Sequence, residues 1–193
     1  MKLKITGGEF RGRLIDAPKG NSTRPTLEKL RKTLFDICQM TIENATVLDL
    51  FSGSGALGIE ALSRKAQSVT FVESHKMAVD TIKSNLQLLK LTNKTSLLPI
   101  DIFKALDRLD AENQPFDFIF IDPPYAKSKD EISLSEKVLL RLDTSPLTHE
   151  STRIFLEEGR YFNLDRTLES LKKLQLKSKR EAGDSYLFEF ITH

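Results

Sequence analysis

Cysteine occurs only once in the 193-residue sequence, and long apolar runs are missing. The single thiol, Cys38, cannot form an internal disulfide, and it has no second cysteine with which to build a zinc site. No apolar stretch approaches the roughly 18 residues of a membrane span, and residues 1–6 lack the apolar core of a secretory signal. We therefore expect a cytoplasmic protein that needs no metal and binds no membrane. We also expect a monomer, although these absences do not bear on the oligomeric state.

The chain as a whole also lacks a strong excess of one charge, but its first 40 residues have an excess of positive charge. The net charge is +2, from 29 basic and 27 acidic residues. Residues 1–40 contain nine Lys or Arg and four Asp or Glu, a balance of +5, which leaves −3 for the remainder. A basic segment of this length suggests a polyanionic partner, and nucleic acid is the first candidate.

The order of apolar segments predicts a doubly wound α/β fold. After residue 45, apolar strands alternate with helical patterns, which is typical of a mostly parallel sheet covered on both faces. Upstream, residues 1–25 suggest a β-hairpin (3–6 and 13–17), and residues 26–40 suggest a helix. We therefore predict a basic N-terminal extension, 1–40, and an α/β domain, 41–193. The predicted strands of the domain are 46–51, 68–73, 95–99, 116–121 and 152–157, followed by an antiparallel pair, 174–178 and 185–191, joined by the turn 179–184.

A glycine-rich turn follows the first strand of this domain. Gly53, Gly55 and Gly58 satisfy the pattern G-x-G-x-x-G between a strand and a helix, where glycines permit a sharp turn and close approach of a ligand. Glu73 ends the next strand, 20 residues after Gly53, where a carboxylate can accept hydrogen bonds from both hydroxyls of a ribose. The sequence thus predicts a ribose-containing ligand, bound by Phe51, Ser52, Gly53, Ser54, Gly55, Glu73 and Ser74.

The charge of Asp49 distinguishes between two such ligands. A carboxylate about 6 Å from a phosphate would be repelled by roughly 3 kcal/mol at an effective dielectric constant of about 20. S-adenosylmethionine carries an amino group and a sulfonium but no phosphate, so Asp49 favours it over NAD. Asp101 is placed to accept a hydrogen bond from the adenine amine, with Ile102 packed on the ring, and an acid at a helix start is also a common cap.

The fourth predicted strand ends directly in Asp122-Pro123-Pro124-Tyr125, which is a specific signal for methyl transfer to an amine. The prolines fix the backbone and remove its N–H donors. The Asp122 side chain and the Pro123 carbonyl can then hold the two N–H groups of a nucleobase amine and direct its lone pair. Tyr125 offers a face for base stacking, worth about 1–3 kcal/mol. We interpret these four residues as the catalytic site, in which positioning supplies much of the rate.

Short segments outside these two motifs carry a further resemblance. They are Ile5-Thr6-Gly7-Gly8, Arg11-Gly12-Arg13-Leu14, Pro18, Thr23-Arg24-Pro25-Thr26, Arg31, Leu34-Phe35 and Arg180-Glu181-Ala182-Gly183-Asp184. With the two motifs, this series resembles the bacterial 16S rRNA (guanine(966)-N(2))-methyltransferase family, within the S-adenosylmethionine-dependent amino-methyltransferases. The resemblance covers nearly the whole chain. It departs from the family pattern at Glu28, Lys32 and Asp36, all outside the two motifs.

The resemblance implies a seven-stranded methyltransferase sheet with antiparallel last strands. It also implies that S-adenosylmethionine is the methyl donor and that N2 of one guanine in 16S rRNA, free or in a small ribosomal subunit particle, is the acceptor. A guanine must leave its stack to reach Asp122, which is easiest in a loop, and the basic extension can hold flanking phosphates. We assign RNA contact to Arg11, Arg13, Arg24 and Arg31, although some of them could instead fix the extension to the domain.

Three other functions stay open at this point. A DNA adenine-N6 methyltransferase could use the same tetrapeptide, but the chain has no large domain for target recognition. A non-catalytic RNA-binding assembly factor could retain the fold, although intact Asp49, Glu73 and Asp122 argue against it. A nicotinamide oxidoreductase would share the glycine loop, and cofactor titration separates it from the methyltransferase.

Overall fold

The computed structural model describes residues 2–18 and 25–192 of the chain. The chain is divided into two compact units, Met1–Ala105 and Leu106–His193. The predicted N-terminal extension, residues 1–40, lies within the first unit. The boundary at residue 40 between an RNA-contacting extension and the α/β domain stays a prediction. Among the described residues, no helix combines the length and the apolar character needed to cross a membrane.

The first unit contains a small hairpin and three parallel strands with their helices. The hairpin pairs β1 (Lys2–Lys4) with β2 (Leu14–Asp16), a shorter version of the predicted one. Parallel pairing then joins the third strand to the fourth and the fourth to the fifth. The elements that follow the hairpin are α1 (Pro25–Cys38), β3 (Thr46–Leu50), α2 (Ala56–Ser63), β4 (Ser68–Val72), α3 (Lys76–Leu89), a short 3₁₀ helix (Thr92–Lys94), β5 (Thr95–Leu98) and α4 (Ile102–Glu112), which runs past the end of the unit.

The second unit contains four strands and two further helices. Its elements are β6 (Phe118–Ile121), α5 (Leu134–Asp143), β7 (Arg153–Gly159), α6 (Leu164–Ser170), β8 (Leu174–Ala182) and β9 (Ser185–Thr192). β6 pairs with β7 in parallel, and β9 is antiparallel to both β7 and β8. The strands after residue 45 form one sheet in the order β5-β4-β3-β6-β7-β9-β8. This confirms the predicted mostly parallel seven-stranded sheet with an antiparallel final hairpin.

Continuous burial explains why the inner strands are so apolar. Every residue of β6 is buried, and so are the last four residues of β3. Phe118 stacks on Phe155 of β7 with ring centroids 6.4 Å apart, and Phe120 contacts the same ring at 6.2 Å. A strand that is buried on both faces has no polar side, so its sequence is mostly apolar rather than alternating, with Asp49 as the exception in β3.

The final hairpin differs from the prediction at its turn. β8 continues through Ala182, which pairs with Ser185, so the turn is Gly183-Asp184 rather than residues 179–184. Gly183 has φ of 64°, as the first central residue of a type II′ turn requires. The charged residues that suggested a longer turn lie on the edge strand instead, where charge discourages pairing with other chains.

The N-terminal extension is tied to α2 by buried polar groups. Glu60, only 1% exposed, accepts hydrogen bonds from the amide and the hydroxyl of Thr6 at 2.9 and 2.7 Å. Ser63 donates to the carbonyl of Gly7 at 2.6 Å. Gly8 has φ of 72°, and a methyl group there would lie 1.9 Å from the carbonyl oxygen of Ser63. The Gly-Gly pair is therefore needed for the backbone of the extension to approach α2.

Candidate active site

The loop after β3 is shaped by residues in the left-handed region of the backbone. Phe51, Gly53 and Gly55 have φ values of 61°, 53° and 76°, which glycine adopts without the steric cost that a side chain brings. Gly55 is the N-cap of α2. The tight turn lets α2 begin almost directly at the end of β3.

Gly58 has a different purpose from the other two glycines of the pattern. A methyl group at Gly58 would lie 2.3 Å from Cε1 of Phe71 and 2.7 Å from Cγ1 of Val69, well inside van der Waals contact. The absence of a side chain therefore allows α2 to pack closely against β4. The pattern G-x-G-x-x-G thus combines two turn glycines with one packing glycine, as it does in nucleotide-binding folds.

Two carboxylates bind the amides of this loop. Asp49 is buried on β3, and its Oδ2 accepts a hydrogen bond from the amide of Gly58 at 2.9 Å. Glu73 follows β4, and its Oε2 accepts from the amide of Gly53 at 2.8 Å while its Oε1 accepts from the amide of His75 at 2.8 Å. The structure therefore brings Asp49, Glu73 and the glycine loop together and fixes the orientation of both acids.

Burial makes Asp49 an unusual acid. Removal from water raises the pKa of Asp49 to about 7, the hydrogen bond from Gly58 opposes part of this rise, and the nearby charge of Glu73 adds to it. A carboxyl group in this state is partly protonated at neutral pH. A cation bound nearby would favour the ionised form and release the proton.

Two serines of the loop contribute to its structure as well as lying in the predicted cofactor site. Ser52 is buried, its hydroxyl donates to the carbonyl of Asp49 at 2.6 Å, and it accepts from the amide of Val72 at 3.1 Å. The carbonyl of Ser54 accepts from the side-chain amide of Asn85 at 3.0 Å. The hydroxyl of Ser52 thus joins β3 to β4, and Asn85 fixes the loop from α3.

The remaining predicted cofactor residues lie at two strand ends. Asp101 caps α4, because its Oδ1 accepts from the amides of Phe103 and Lys104 at 3.0 and 3.3 Å. Ile102 is buried, whereas Ser74 is exposed. Among residues 2–18 and 25–192, no three His, Cys, Asp or Glu side chains lie where they could share a metal ion.

The predicted catalytic tetrapeptide directly follows β6 in the second unit. Asp122 is half-buried, Pro123 is buried and Pro124 is exposed. Tyr125 is partly buried, and its hydroxyl donates a hydrogen bond to the carboxylate of Glu157 on β7. Burial, then this hydrogen bond, raises the pKa of Tyr125, so the phenol stays protonated and remains a donor.

Gly159, at the end of β7, supports the ring of Tyr125. A methyl group at Gly159 would lie 2.9 Å from Cδ2 of Tyr125, so the ring rests directly on the backbone of that residue. With its hydroxyl on Glu157 and its ring on Gly159, Tyr125 is held at both ends. A ring fixed in this way can offer a face to a nucleobase at a smaller cost in conformational entropy.

Glu157 and Glu158 were not among the residues that we predicted from the sequence. Glu158 is fully buried; it accepts from the amide of Ala126 at 3.0 Å and from the hydroxyl of Ser135 at 2.8 Å. Burial raises the pKa of both acids, against the hydrogen bonds that lower it. Two glutamates at the end of an apolar strand were the available signal, because charges seldom follow a buried strand without a partner.

The predicted RNA-contact arginines lie in different environments. Arg11 and Arg13 are exposed, and Arg13 lies 5.6 Å from the ring centroid of Phe10. Arg31 is 8% exposed, and its Nη2 donates to the carbonyl of Lys4 at 2.7 Å. Arg31 therefore holds β1 against α1 in this conformation. Arg24 lies outside the described residues.

The mostly parallel sheet with its antiparallel hairpin, and the acid-flanked glycine loop after its first long strand, define the class of Rossmann-like methyltransferase folds. A solved structure described as "Putative methyltransferase yhhF from Escherichia coli" has a TM-score of 0.82 and 27% identity, covering 100% of this chain and 99% of that one. A ribosomal protein L11 methylase from Lactobacillus delbrueckii subsp. bulgaricus, 18% identical, shares the fold with a TM-score of 0.70 over 93% and 86% of the two chains.

Sequence comparison narrows this class to one family. The family model described as conserved hypothetical protein 95 matches residues 3–191, and the chain belongs to this family. Ribosomal RNA small subunit methyltransferase D of Escherichia coli strain K12 is 35% identical over 150 residues, which are 78% of this chain and 72% of that protein. The protein of the same name from Buchnera aphidicola is 34% identical over 157 residues, or 81% and 78% of the two chains.

Proposed function

We propose that the protein transfers a methyl group from S-adenosylmethionine to the exocyclic N2 of one guanine in 16S rRNA. The observation that carries this proposal is the tetrapeptide after β6, in which Asp122 and Pro123 precede an aromatic ring held by Glu157 and Gly159. The relatives named ribosomal RNA small subunit methyltransferase D support the choice of substrate.

The acids of the first unit support S-adenosylmethionine over a dinucleotide. In dinucleotide-binding folds, the amides at the start of the helix bind a pyrophosphate. Here the amide of Gly53 already donates to Glu73, and that of Gly58 donates to Asp49. A pyrophosphate would lose these donors and meet two carboxylates, whereas a ligand with an ammonium and a sulfonium is attracted.

The residues that would hold the donor follow from these contacts. Glu73 has both oxygens oriented by amides, and each oxygen keeps a lone pair for a ribose hydroxyl. Gly53 and Gly55 leave the loop without side chains, so a ligand can approach its backbone. Asp49 supplies negative charge for the cationic part of the ligand. Bound S-adenosylmethionine supplies an electrophilic methyl group.

On the acceptor side, the second unit supplies orientation. The carboxylate of Asp122 and the carbonyl of Pro123 accept the two N–H groups of the guanine amine, which turns the nitrogen lone pair out of conjugation and toward the methyl carbon. Tyr125 stacks on the base. When the nitrogen takes the methyl group, the carbon–sulfur bond breaks and the nitrogen releases one proton to solvent. Asp122 therefore acts by positioning, and a strong base is not required.

The N-terminal extension, residues 1–40, is assigned to RNA contact. Its exposed Arg11 and Arg13 can reach phosphates, which fix the position of an RNA without reading its sequence. Arg24 keeps the same assignment as a prediction. Arg31 is assigned to holding the extension in place, because its guanidinium is buried against Lys4.

Methylation in vitro tests the proposal. We incubate the protein with labelled S-adenosylmethionine and with small-subunit RNA or particles from a strain that lacks the gene. The labelled nucleotide is then mapped. We expect one N2-methylguanine. The Asp122→Ala variant should lose at least about 100-fold in kcat, with affinity for S-adenosylmethionine unchanged, and Asp117→Asn, before β6, serves as the control. The proposal is contradicted if adenine in duplex DNA becomes labelled, or if no ribosomal substrate becomes labelled.

A further inference from the structure

The turn after β7 presents two side chains on a rigid support. The amide of Phe162 donates to the carbonyl of Gly159 at 3.2 Å, which closes the turn. Phe162 is buried, and its ring meets Phe188 edge to face at 5.3 Å. The turn is thus fixed at both ends, by the end of β7 and by the core. The two residues between these ends, Arg160 and Tyr161, are exposed.

Arg160 and Tyr161 form a cation–aromatic pair at the surface. The guanidinium carbon of Arg160 lies 5.0 Å from the ring centroid of Tyr161, and Nη2 of Arg160 donates to the Tyr161 hydroxyl at 3.2 Å. Tyr161 is 42% exposed, and it is the only aromatic among the exposed large hydrophobic side chains of residues 2–18 and 25–192. Within those residues, no carboxylate lies at ion-pair distance from Arg160.

The pair lies close to the proposed base-binding ring. Gly159 touches the ring of Tyr125, and Tyr161 follows Gly159 by two residues, so their α-carbons are at most about 7 Å apart. The same short segment of backbone therefore supports one aromatic ring inside the site and presents another outside it.

We propose that Arg160 and Tyr161 bind the nucleobase next to the methylated guanine in single-stranded RNA. This inference rests on the proposed function. When the target base leaves its stack, each neighbouring base loses one stacking partner. An exposed aromatic ring replaces that partner without regard to the identity of the base, and an arginine adds planar stacking and attraction to phosphate.

RNA explains the pair better than a protein partner does. Since no carboxylate of the described residues is paired with it, the exposed Arg160 leaves its positive charge for a phosphate, and Tyr161 offers a flat face with a polar edge. Single-stranded nucleic acid presents bases and phosphates in regular alternation, which matches a ring and a cation in adjacent positions.

Steady-state methylation of naked, unmodified 16S rRNA by three variants of Tyr161 and Arg160 tests this inference. We expect Tyr161→Ala to raise KM for RNA about tenfold, with kcat and the affinity for S-adenosylmethionine unchanged. Tyr161→Phe keeps the ring and should behave like the unmodified protein, and Arg160→Lys should show an intermediate KM. Leu88→Ala, which removes an exposed apolar side chain of α3 outside the extension and the tetrapeptide, is the matched control.

A second measurement identifies the contacted group. In RNA fragments that contain the mapped guanine, an abasic nucleotide on one side should weaken binding to the unmodified protein and leave binding to Tyr161→Ala unaltered. Equal KM values for the unmodified protein and Tyr161→Ala overturn the inference, as does an effect seen only with assembled particles, which would indicate a ribosomal protein. Absence of methylation by the unmodified protein on naked RNA and on assembled particles alike would instead overturn the proposed function itself.

Discussion

At the scale of single residues, the two candidate half-sites differ in how they use acids. In the first unit, Asp49 and Glu73 accept hydrogen bonds from backbone amides and present negative charge to the loop. In the second unit, Glu157 and Glu158 hold other protein groups in place, and our proposal assigns Asp122 to the amine of the substrate. The position of an acidic residue in the sequence does not distinguish these uses, whereas its hydrogen-bond partners do.

Asp49 makes stability depend on pH in a definite direction. Its pKa is raised by burial from about 4 to about 7, so its contribution to stability is complete below pH 4 and is lost as pH rises through 7. We expect Asp49→Asn, whose amide oxygen can still accept from Gly58, to gain up to about 4 kcal/mol relative to the unmodified protein between pH 4 and 8. Urea unfolding at several pH values measures this, and parallel curves for both proteins would contradict it.

The same acid gives cofactor binding a proton signature. A cationic ligand favours the ionised form of Asp49, so binding of S-adenosylmethionine near pH 6.5 should release protons. Calorimetry in two buffers with different ionisation enthalpies detects the release. Asp49→Asn should bind more weakly and release none, and an identical heat for the unmodified protein in both buffers would show that Asp49 is not in contact with the charged part of the ligand.

At the scale of elements, α3 connects the extension to the glycine loop through one buried side chain. Asn85 is fully buried; its Oδ1 accepts from the amide of Asp16 at 2.8 Å, and its Nδ2 donates to the carbonyls of Asp16 and Ser54 at 2.9 and 3.0 Å. The end of β2 and the loop before α2 therefore share one amide. Any displacement of α3 would disturb both.

Removal of this amide should affect both elements. We expect Asn85→Ala to cost about 2–4 kcal/mol of stability, since it leaves buried backbone groups unpaired, and to weaken S-adenosylmethionine binding severalfold. Ser63→Ala breaks a bond between the extension and α2 without touching Ser54, so it should destabilise without changing cofactor affinity. Thermal unfolding and calorimetry compare the two variants, and equal affinities for both would remove Asn85 from the cofactor site.

The position of α2 depends on the missing side chain at residue 58. Gly58→Ala should cost about 1–3 kcal/mol by overpacking, because the added methyl group meets Phe71 at 2.3 Å. Phe71→Leu in the same chain makes room and should recover part of the loss. Chemical denaturation of the two single variants and the double variant checks this, and strictly additive effects would show that no steric conflict exists at this contact.

Elements with a continuous apolar core were the most predictable. β6 was predictable because its short apolar run, Phe118–Ile121, is rich in β-branched and aromatic residues and is ended by Pro123 and Pro124, which favours a buried strand over a helix. The charged β8 was mistaken for a turn beyond Ser178, since an edge strand carries no apolar signal on its solvent side. Arg31 and Glu157 could not be placed, because their partners lie 27 and 32 residues away in the sequence.

At the scale of the whole molecule, the uneven charge distribution matters more than the net charge. The extension carries exposed Arg11 and Arg13 in a conformation fixed by Glu60 and Asn85. A fixed basic surface loses less conformational entropy on binding a polyanion than a loose tail does. The contribution of this surface to the affinity for RNA should therefore be electrostatic and should decrease as the salt concentration rises.

Salt titration measures that contribution. Arg11→Ala and Arg13→Ala should each weaken RNA binding and reduce the slope of log K against log salt by about 0.7–0.9, one phosphate contact apiece. Affinity for S-adenosylmethionine should stay constant, and Arg108→Ala, on an exposed face of α4, is the control. An unchanged slope with lower thermal stability would mean that these arginines hold the extension together instead.

The lone thiol offers an internal reporter of opening. Cys38 is fully buried at the end of α1 and is the only cysteine of the chain. A dye that reacts with sulfhydryl groups can therefore label only molecules in which α1 has left the core, and the labelling rate reports how often that happens. Slower labelling in the presence of RNA would show, without any enzymatic assay, that bound RNA stabilises the packing of α1 against the core.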